Sequence, residues 1–222
     1  LKRLRPAGLP DGALESIEAV LISHAHVDHL HRASLERIDR AATIVVPAGV
    51  RVPKLGFEEV LAVRAGDVVS VAGIDITAVP AQHRVGFLGH GRALGYVLRG
   101  DGPTVYFADE SGYFSGFMKV GARFRPDVAL LPISGYRPAA LRHDHLSPLD
   151  ALYAFEDLGA QLLVPIHHGA FALGYEPPAE PLIWLRSLAS QRRLEQRIAW
   201  LEPGESCVAR RGALQTPSPS DM

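Results

Sequence analysis

The sequence predicts an α/β fold built from packed layers. Short apolar runs rich in Val and Ile, bounded by Gly, Pro or Asp, recur along the chain and are typical of strands. Helical patterns separate several of them, which favours sheets covered by helices. Hairpin-like pairs within residues 58–98 indicate mixed rather than purely parallel sheets.

Apolar runs mark the predicted strands. They lie at residues 19–23, 43–47, 67–81, 93–98, 104–108, 127–133 and 161–166. Each run is a few residues long or contains a turn, so the sequence indicates many short strands rather than a few long ones.

Three stretches between or after the strands are predicted as helices. Residues 147–159 are the clearest, because Ser147 can cap the first turn and Gly159 can end the last one. Residues 33–40 are amphipathic, and residues 179–198 form a longer stretch with a basic outer face. These helices would cover the sheets.

The chain is long enough for one domain with a proper core. Residues 209–222 have little apolar content and are predicted to be a disordered tail, so residues 1–208 are assigned to the domain. The formal net charge is −1 and long runs of Lys or Arg are lacking, so nucleic-acid binding is not expected. Cys207 is the single cysteine, which excludes an internal disulfide and suits the cytoplasm.

A cluster of metal-ligand residues follows the first predicted strand. Residues 23–32 read SHAHVDHLHR, which places His24, His26, Asp28 and His29 directly after an apolar run. Imidazole nitrogen and carboxylate oxygen are ligands that zinc takes in proteins. Four such groups within six residues could serve two ions.

Other predicted strands also end in ligand-type residues. His83, Asp109 and the pair His167–His168 follow the runs that end near residues 81, 108 and 166. Sites in layered α/β folds gather at the carboxyl ends of strands, so these side chains are expected at one rim. Taken alone, each would be read as a surface or hydrogen-bonding residue, and that interpretation is kept for three further histidines: His31, His90 and His143.

These motifs resemble the metallo-β-lactamase superfamily. Its signature is H-x-H-x-D-H followed by an isolated His, an Asp and a His. Six segments resemble the branch of N-acyl-phosphatidylethanolamine phospholipase D and ascorbate-6-phosphate lactonase-like proteins. They are VLISHAHVDHL, VPAQH, VYFADESGY, DVALLPISGY, HLSPLDA and PIHHGAFAL. The resemblance implies a four-layer αββα sandwich with a dinuclear zinc site at its edge.

The resemblance also implies a division of ligands. His24, His26 and His83 would hold the first metal. A second set would hold the other metal, and it consists of Asp28, His29 and His167. Asp109 would bridge the two, and His167 is preferred to His168 because the family has one His before an aromatic or similar residue and Gly.

The sequence departs from the family pattern in several places. Ala108-Asp109-Glu110 stands where the family often has Gly-Asp-Thr, and His31 stands where phospholipase D-like members have an acidic residue. The family also begins with additional N-terminal strands, which this numbering is expected to lack. The first two changes place the substrate in question rather than the metals.

The implied mechanism needs no side-chain nucleophile. A hydroxide bridging two zinc ions would attack a phosphoryl or carbonyl centre, and Asp28 would ligate one ion and orient the hydroxide. His145 precedes the capped helix and could bind a phosphate or donate a proton to the leaving group, although packing against the helix start is an equal alternative. Mn²⁺ or Fe²⁺ could replace zinc at such sites.

The sequence therefore predicts a zinc-dependent hydrolase, with phosphodiesters of lipid or small-molecule type as first expectation. A lactonase or ester hydrolase of the same fold is the alternative, and a non-catalytic metal-binding protein is the alternative from another class. Residues 112–124 could contact a membrane surface, but a core-facing helix is favoured there. Peripheral membrane contact and homo-oligomer formation stay open.

Overall fold

A computed structural model of the chain describes residues 3–10, 12–84, 93–172 and 174–211. Its strands are β1 (Ala19–Leu21), β2 (Thr43–Pro47), β3 (Val60–Val63), β4 (Val68–Val71), β5 (Ile74–Pro80), β6 (Leu94–Arg99), β7 (Val105–Phe107), β8 (Val128–Pro132) and β9 (Leu162–Ile166). Its α-helices are α1 (Arg32–Leu35), α2 (Gly116–Phe124), α3 (Pro148–Leu158) and α4 (Glu180–Arg192). Short 3₁₀ turns lie at Ala139–His143 and Glu195–Arg197. The predicted tail lies mostly outside the described residues, as does His90.

The described strands form two sheets. The smaller sheet has the order β1-β2-β3 and is parallel throughout. The larger sheet has the order β4-β5-β6-β7-β8-β9, with antiparallel pairs from β4 to β7 and parallel pairs from β7 to β9. Mixed pairing is therefore confirmed for the larger sheet. In consequence β5, β7, β8 and β9 all end at the same edge.

The two sheets pack face to face through an apolar core. Along β2, Val45 packs toward the larger sheet while Ile44 and Val46 pack on the opposite face, as the two-residue strand period requires. The Tyr96 hydroxyl of β6 donates to the carbonyl of Ile22, 2.7 Å away, and this bond ties the sheets together.

Helices cover the outer faces. α2, α3 and α4 contribute to the largest apolar cluster, which they form with β7, β8 and β9. α1 and the segment at residues 50–57 cover the outer face of the smaller sheet. The layer order is thus helix, sheet, sheet, helix, which confirms the predicted sandwich.

The cap residues of α3 are those that the sequence predicts. Ser147 and Asp150 form a reciprocal capping box, and Gly159 adopts a left-handed conformation after the last turn. α2 lies so close to α3 that a Cβ on Gly121 would approach the Asp157 carbonyl oxygen to 2.5 Å. Phe117 of α2 is buried in the core, so the core-facing helix favoured for residues 112–124 is present, and contact with a membrane surface stays a prediction.

Two predicted helices are shorter in the structure. α1 ends at Leu35, because the Arg40 guanidinium donates to the carbonyls of Leu35, Glu36 and Ile38 and stabilises a turn there. α4 ends at Arg192, because the next residue is left-handed. The sequence reading also missed β3, although all four of its residues are apolar.

Candidate metal centre

One edge of the sandwich collects the ligand-type side chains. His83 follows β5, Glu110 follows β7 and His167 follows β9, so the larger sheet delivers three of them to the same edge. The loop after β1 brings His24, His26, Asp28 and His29 from the smaller sheet. The Leu94 amide donates to the Ser23 carbonyl at 3.0 Å and fastens this loop to β6.

The first group of donors lies around one point. The Nε2 atoms of His24 and His83 lie 2.9 Å and 3.2 Å from Nδ1 of His26. Oε2 of Glu110 lies 3.2 Å from each of those Nε2 atoms. The Asp144 carbonyl lies 3.0 Å from Nδ1 of His83, which fixes that nitrogen as the donor and leaves Nε2 free to coordinate.

A second group lies beside the first. Nε2 of His29 lies 3.3 Å from Glu110 Oε2, and Nε2 of His167 lies 3.4 Å from Glu110 Oε1. Oδ2 of Asp28 lies 4.0 Å from Nε2 of His29, at the open side of the group. The structure therefore brings every metal-ligand candidate of the sequence prediction to one cluster, with Asp28 and Asp109 at its margins.

The spacing of these donors suits first-row metal ions. Two donors that each lie about 2.1 Å from a tetrahedral ion are separated by about 3.4 Å. The observed separations of 3.2–3.4 Å around Glu110 agree with this geometry. Nδ1 of His167 is buried without a hydrogen-bond partner in the described chain, while its Nε2 faces the cluster. The donor set of imidazoles and carboxylates fits zinc, manganese or iron.

Glu110 lies at the centre of the cluster, and the sequence reading missed it. Its carboxylate is almost fully buried and contacts five imidazoles: those of His24, His29, His83, His145 and His167. Asp109 has φ 54°, a left-handed conformation that turns the chain so that the next side chain reaches the centre. The only sequence signal was an additional carboxylate beside Asp109.

Asp109 lies behind the imidazoles instead of between them. Its Oδ2 is 2.9 Å from Nδ1 of His29 and 3.6 Å from Nδ1 of His24, and it also contacts the Ser23 hydroxyl. His24, His29 and Asp109 are close enough to form a third donor group. The bridging role of Asp109 stays a prediction, which its position does not favour.

The electrostatics of the cluster separate two kinds of histidine. Burial opposes protonation of His29, but its hydrogen bonds with Asp109 and Glu110 outweigh burial and raise its pKa to about 10. Burial lowers the pKa of His26, His83 and His167, which keeps these imidazoles neutral. Neutral imidazole is the form that coordinates a metal.

Both carboxylates are held ionised. Burial opposes ionisation of Glu110, but hydrogen bonds from His145, His24 and His29 outweigh it and hold its pKa well below the usual range. Hydrogen bonds from His24, His29 and Ser23 likewise outweigh burial and lower the pKa of Asp109. The centre therefore offers two negative charges among its imidazoles.

His145 lies beside the cluster with both ring nitrogens engaged. Nε2 lies 2.7 Å from Glu110 Oε1 and Nδ1 lies 3.0 Å from the Leu141 carbonyl oxygen. Both neighbours are acceptors, and despite burial the hydrogen bond to Glu110 raises the pKa of His145. Gly135 makes room for the ring, because a Cβ there would lie 2.9 Å from it.

The remaining histidines differ in position. His31 bonds the Ser34 hydroxyl at the surface, and His143 lies exposed beside Asp144, as the sequence reading expected. His168 lies outside the donor groups of the described residues and lines a cavity whose lining also includes His167, Arg5 and Glu202. Its position agrees with the choice of His167 as the candidate ligand.

Comparison with known families identifies the chain. The model of the β-lactamase superfamily domain matches residues 1–168. The chain belongs to the β-lactamase superfamily. A superfamily relative from Methanoculleus marisnigri, named UPF0173 metal-dependent hydrolase, is 31% identical over 211 residues, covering 89% of this chain and 85% of the relative.

Two solved structures have a fold similar to that of this chain. Igni18, a metallo hydrolase from Ignicoccus hospitalis, is 28% identical with a TM-score of 0.65, covering 85% of this chain and 77% of that chain. The isothiocyanate hydrolase from Delia radicum gut bacteria has a TM-score of 0.72 at 21% identity, covering 91% and 80%, and shows the fold alone. Within the described ranges, no helix of this superfamily member combines the length and apolar character needed to cross a bilayer.

Proposed function

We propose that this chain is a hydrolase that uses two divalent metal ions, with zinc as first choice, to cleave phosphodiesters. The hydrolase class rests on superfamily membership and on curated relatives named metal-dependent hydrolases. The observation that carries the two-ion site is the pair of donor groups that share the Glu110 carboxylate. When bound, such a pair of ions lowers the pKa of water and stabilises the attacking and leaving oxygens.

The proposal assigns the candidate ligands to two ions. His24, His26 and His83 would hold the first ion, and Glu110, rather than Asp109, would supply the carboxylate shared with the second. His29 and His167 would hold the second ion, and Asp28, whose side chain is 28% exposed at the open side of the group, would be its further ligand. The partly exposed side chain of Asp28 leaves that side of the cluster open to a substrate.

His145 is the proposed general acid. Its Nδ1 faces the Leu141 carbonyl oxygen and its Nε2 faces Glu110 Oε1, so both ring nitrogens can donate a proton to an acceptor. A proton at Nε2 can pass to a leaving oxygen that replaces the Glu110 contact. General acid catalysis of this kind contributes about 10²–10⁴-fold to a rate.

The choice of phosphodiester rests on the resemblance to the phospholipase D-like branch. The same centre could open a lactone or ester, which is the second candidate, and a metal-binding protein without turnover is the third. Cytoplasmic location, contact with a membrane surface and self-association stay predictions of the sequence.

The test combines metal content with turnover. We expect about two ions per purified chain by elemental analysis and chelator-sensitive hydrolysis of bis(p-nitrophenyl) phosphate. A panel of lactones and phospholipids run in parallel separates the candidates: lactone turnover alone would favour the second. Two ions with no turnover on any panel member would favour the third, and a folded chain without metal would contradict the proposal.

A further inference from the structure

Two adjacent carboxylates contact opposite nitrogens of the same imidazoles. Glu110 Oε2 lies 3.3 Å from Nε2 of His29 and 3.2 Å from Nε2 of His24. Asp109 Oδ2 lies 2.9 Å from Nδ1 of His29, on the other side of the ring. A coordinating imidazole uses one nitrogen for the metal and donates a hydrogen bond from the other.

Ser23 extends the reach of Asp109 to His24. The Ser23 side chain is buried; its hydroxyl lies 2.8 Å from Nδ1 of His24 and contacts Oδ2 of Asp109. A hydroxyl can accept one hydrogen bond and donate another. Nδ1–H of His24 can therefore donate to Ser23, which donates in turn to Asp109.

We propose that Asp109 is a positioning residue for both halves of the metal centre. It accepts directly from His29 and, through Ser23, from His24, so it holds both rings with Nε2 directed at the metals. Because the Ser23 hydroxyl occupies Nδ1 of His24, the third donor group is a hydrogen-bonded chain and not a separate metal site. The inference rests on the metal centre of the proposed function, but not on the reaction.

The hydrogen-bonded chain from His24 through Ser23 to Asp109 predicts different effects for the loss of Ser23 and the loss of Asp109. His24 belongs to the first donor group and His29 to the second, so Asp109 supports both groups while Ser23 supports only the first. Loss of such a supporting contact typically weakens metal affinity by roughly 10–100-fold. Loss of the Ser23 hydroxyl should therefore lower the affinity for one ion, and loss of the Asp109 charge should lower the affinity for both.

The experiment measures stoichiometry and affinity of Zn²⁺ and Co²⁺ by competition with a chromophoric chelator. We expect Asp109→Asn to retain two ions at saturation with both affinities lowered by roughly 10–100-fold. Ser23→Ala should lower only one affinity, and Co²⁺ absorption should keep its intensity in both variants. Circular dichroism establishes that each variant is folded, and Ser23→Ala provides the test if Asp109→Asn does not fold.

Three results would overturn the inference. Loss of one ion in Asp109→Asn at saturating metal would make Asp109 a ligand. Wild-type metal affinities in both variants would contradict the positioning role of Asp109. Equal loss of affinity for both ions in Ser23→Ala would contradict the hydrogen-bonded chain from His24 through Ser23 to Asp109. These readouts do not involve turnover, so a phosphodiesterase that proves to be a lactonase leaves the inference intact, whereas a wild-type chain without metal would refute both.

Discussion

Replacing Glu110 by Gln should damage both halves of the metal centre at once. The carboxylate is 6% exposed, and its oxygens lie 2.7–3.4 Å from imidazole nitrogens of both donor groups and of His145. Gln keeps the size of the side chain but removes the charge. The change therefore isolates electrostatics from packing.

The magnitude follows from burial. Removing one partner of a buried charge pair costs about 3–5 kcal/mol. At about 1.4 kcal/mol per tenfold, this weakens binding by about two to four orders of magnitude. Because Oε2 lies beside His24 of the first group and both oxygens lie beside imidazoles of the second, we expect this loss at both ions. The loss exceeds the effect expected for Asp109→Asn.

The assay is a competition titration with Zn²⁺, read together with metal content after gel filtration. Glu176→Gln is the matched control, because Glu176 is also a buried carboxylate but bonds the amides of Gly135 and Arg137 instead of the imidazoles. We expect the control to retain both ions. Two tightly bound ions in Glu110→Gln would refute the assignment of Glu110 as the shared carboxylate.

Three further predictions test separate parts of the structure. His145→Ala should retain both metals and lose about 10²–10⁴-fold in turnover, with exposed neighbour His143→Ala as control; a wild-type rate would return His145 to a packing role. In chelator-stripped protein, His29 has a pKa raised from 6.5 to about 10. Its contribution to the stability of the folded state is therefore complete below pH 6.5 and is lost toward pH 10. The melting temperature should therefore fall over that window, and an equal fall in His29→Gln would contradict this. Gly121→Ala should lower the free energy of unfolding by roughly 1–3 kcal/mol in urea, because its Cβ would meet carbonyls of α3, whereas Gly102→Ala, with open space around it, should not.

The sequence was sufficient where local rules and tertiary packing agree. β2 spans the predicted residues 43–47 because a run of buried apolar side chains can satisfy both faces of a covered strand. Ser147 caps α3 as predicted because its capping box is a local interaction. The histidines meet at one edge because each follows a strand that ends there.

The position of Glu110 could not be read from the sequence. Strand alternation predicts that adjacent residues point to opposite faces, so Asp109 and Glu110 compete for one position. The left-handed conformation of Asp109 decides between them, and a residue other than Gly adopts it only when its surroundings enforce it. His167 is also left-handed, with φ 57°, and its choice over His168 came from resemblance.

The candidate metal centre also affects how the two sheets separate when the chain unfolds. Its candidate ligands come from a loop of the smaller sheet and from three loops of the larger one, so bound ions would link the two sheets. Sliding or separation of the sheets would then require release of metal. The lifetime of the folded chain against proteases should therefore rise with the concentration of free metal, so that metal supply would also control how fast the protein is degraded.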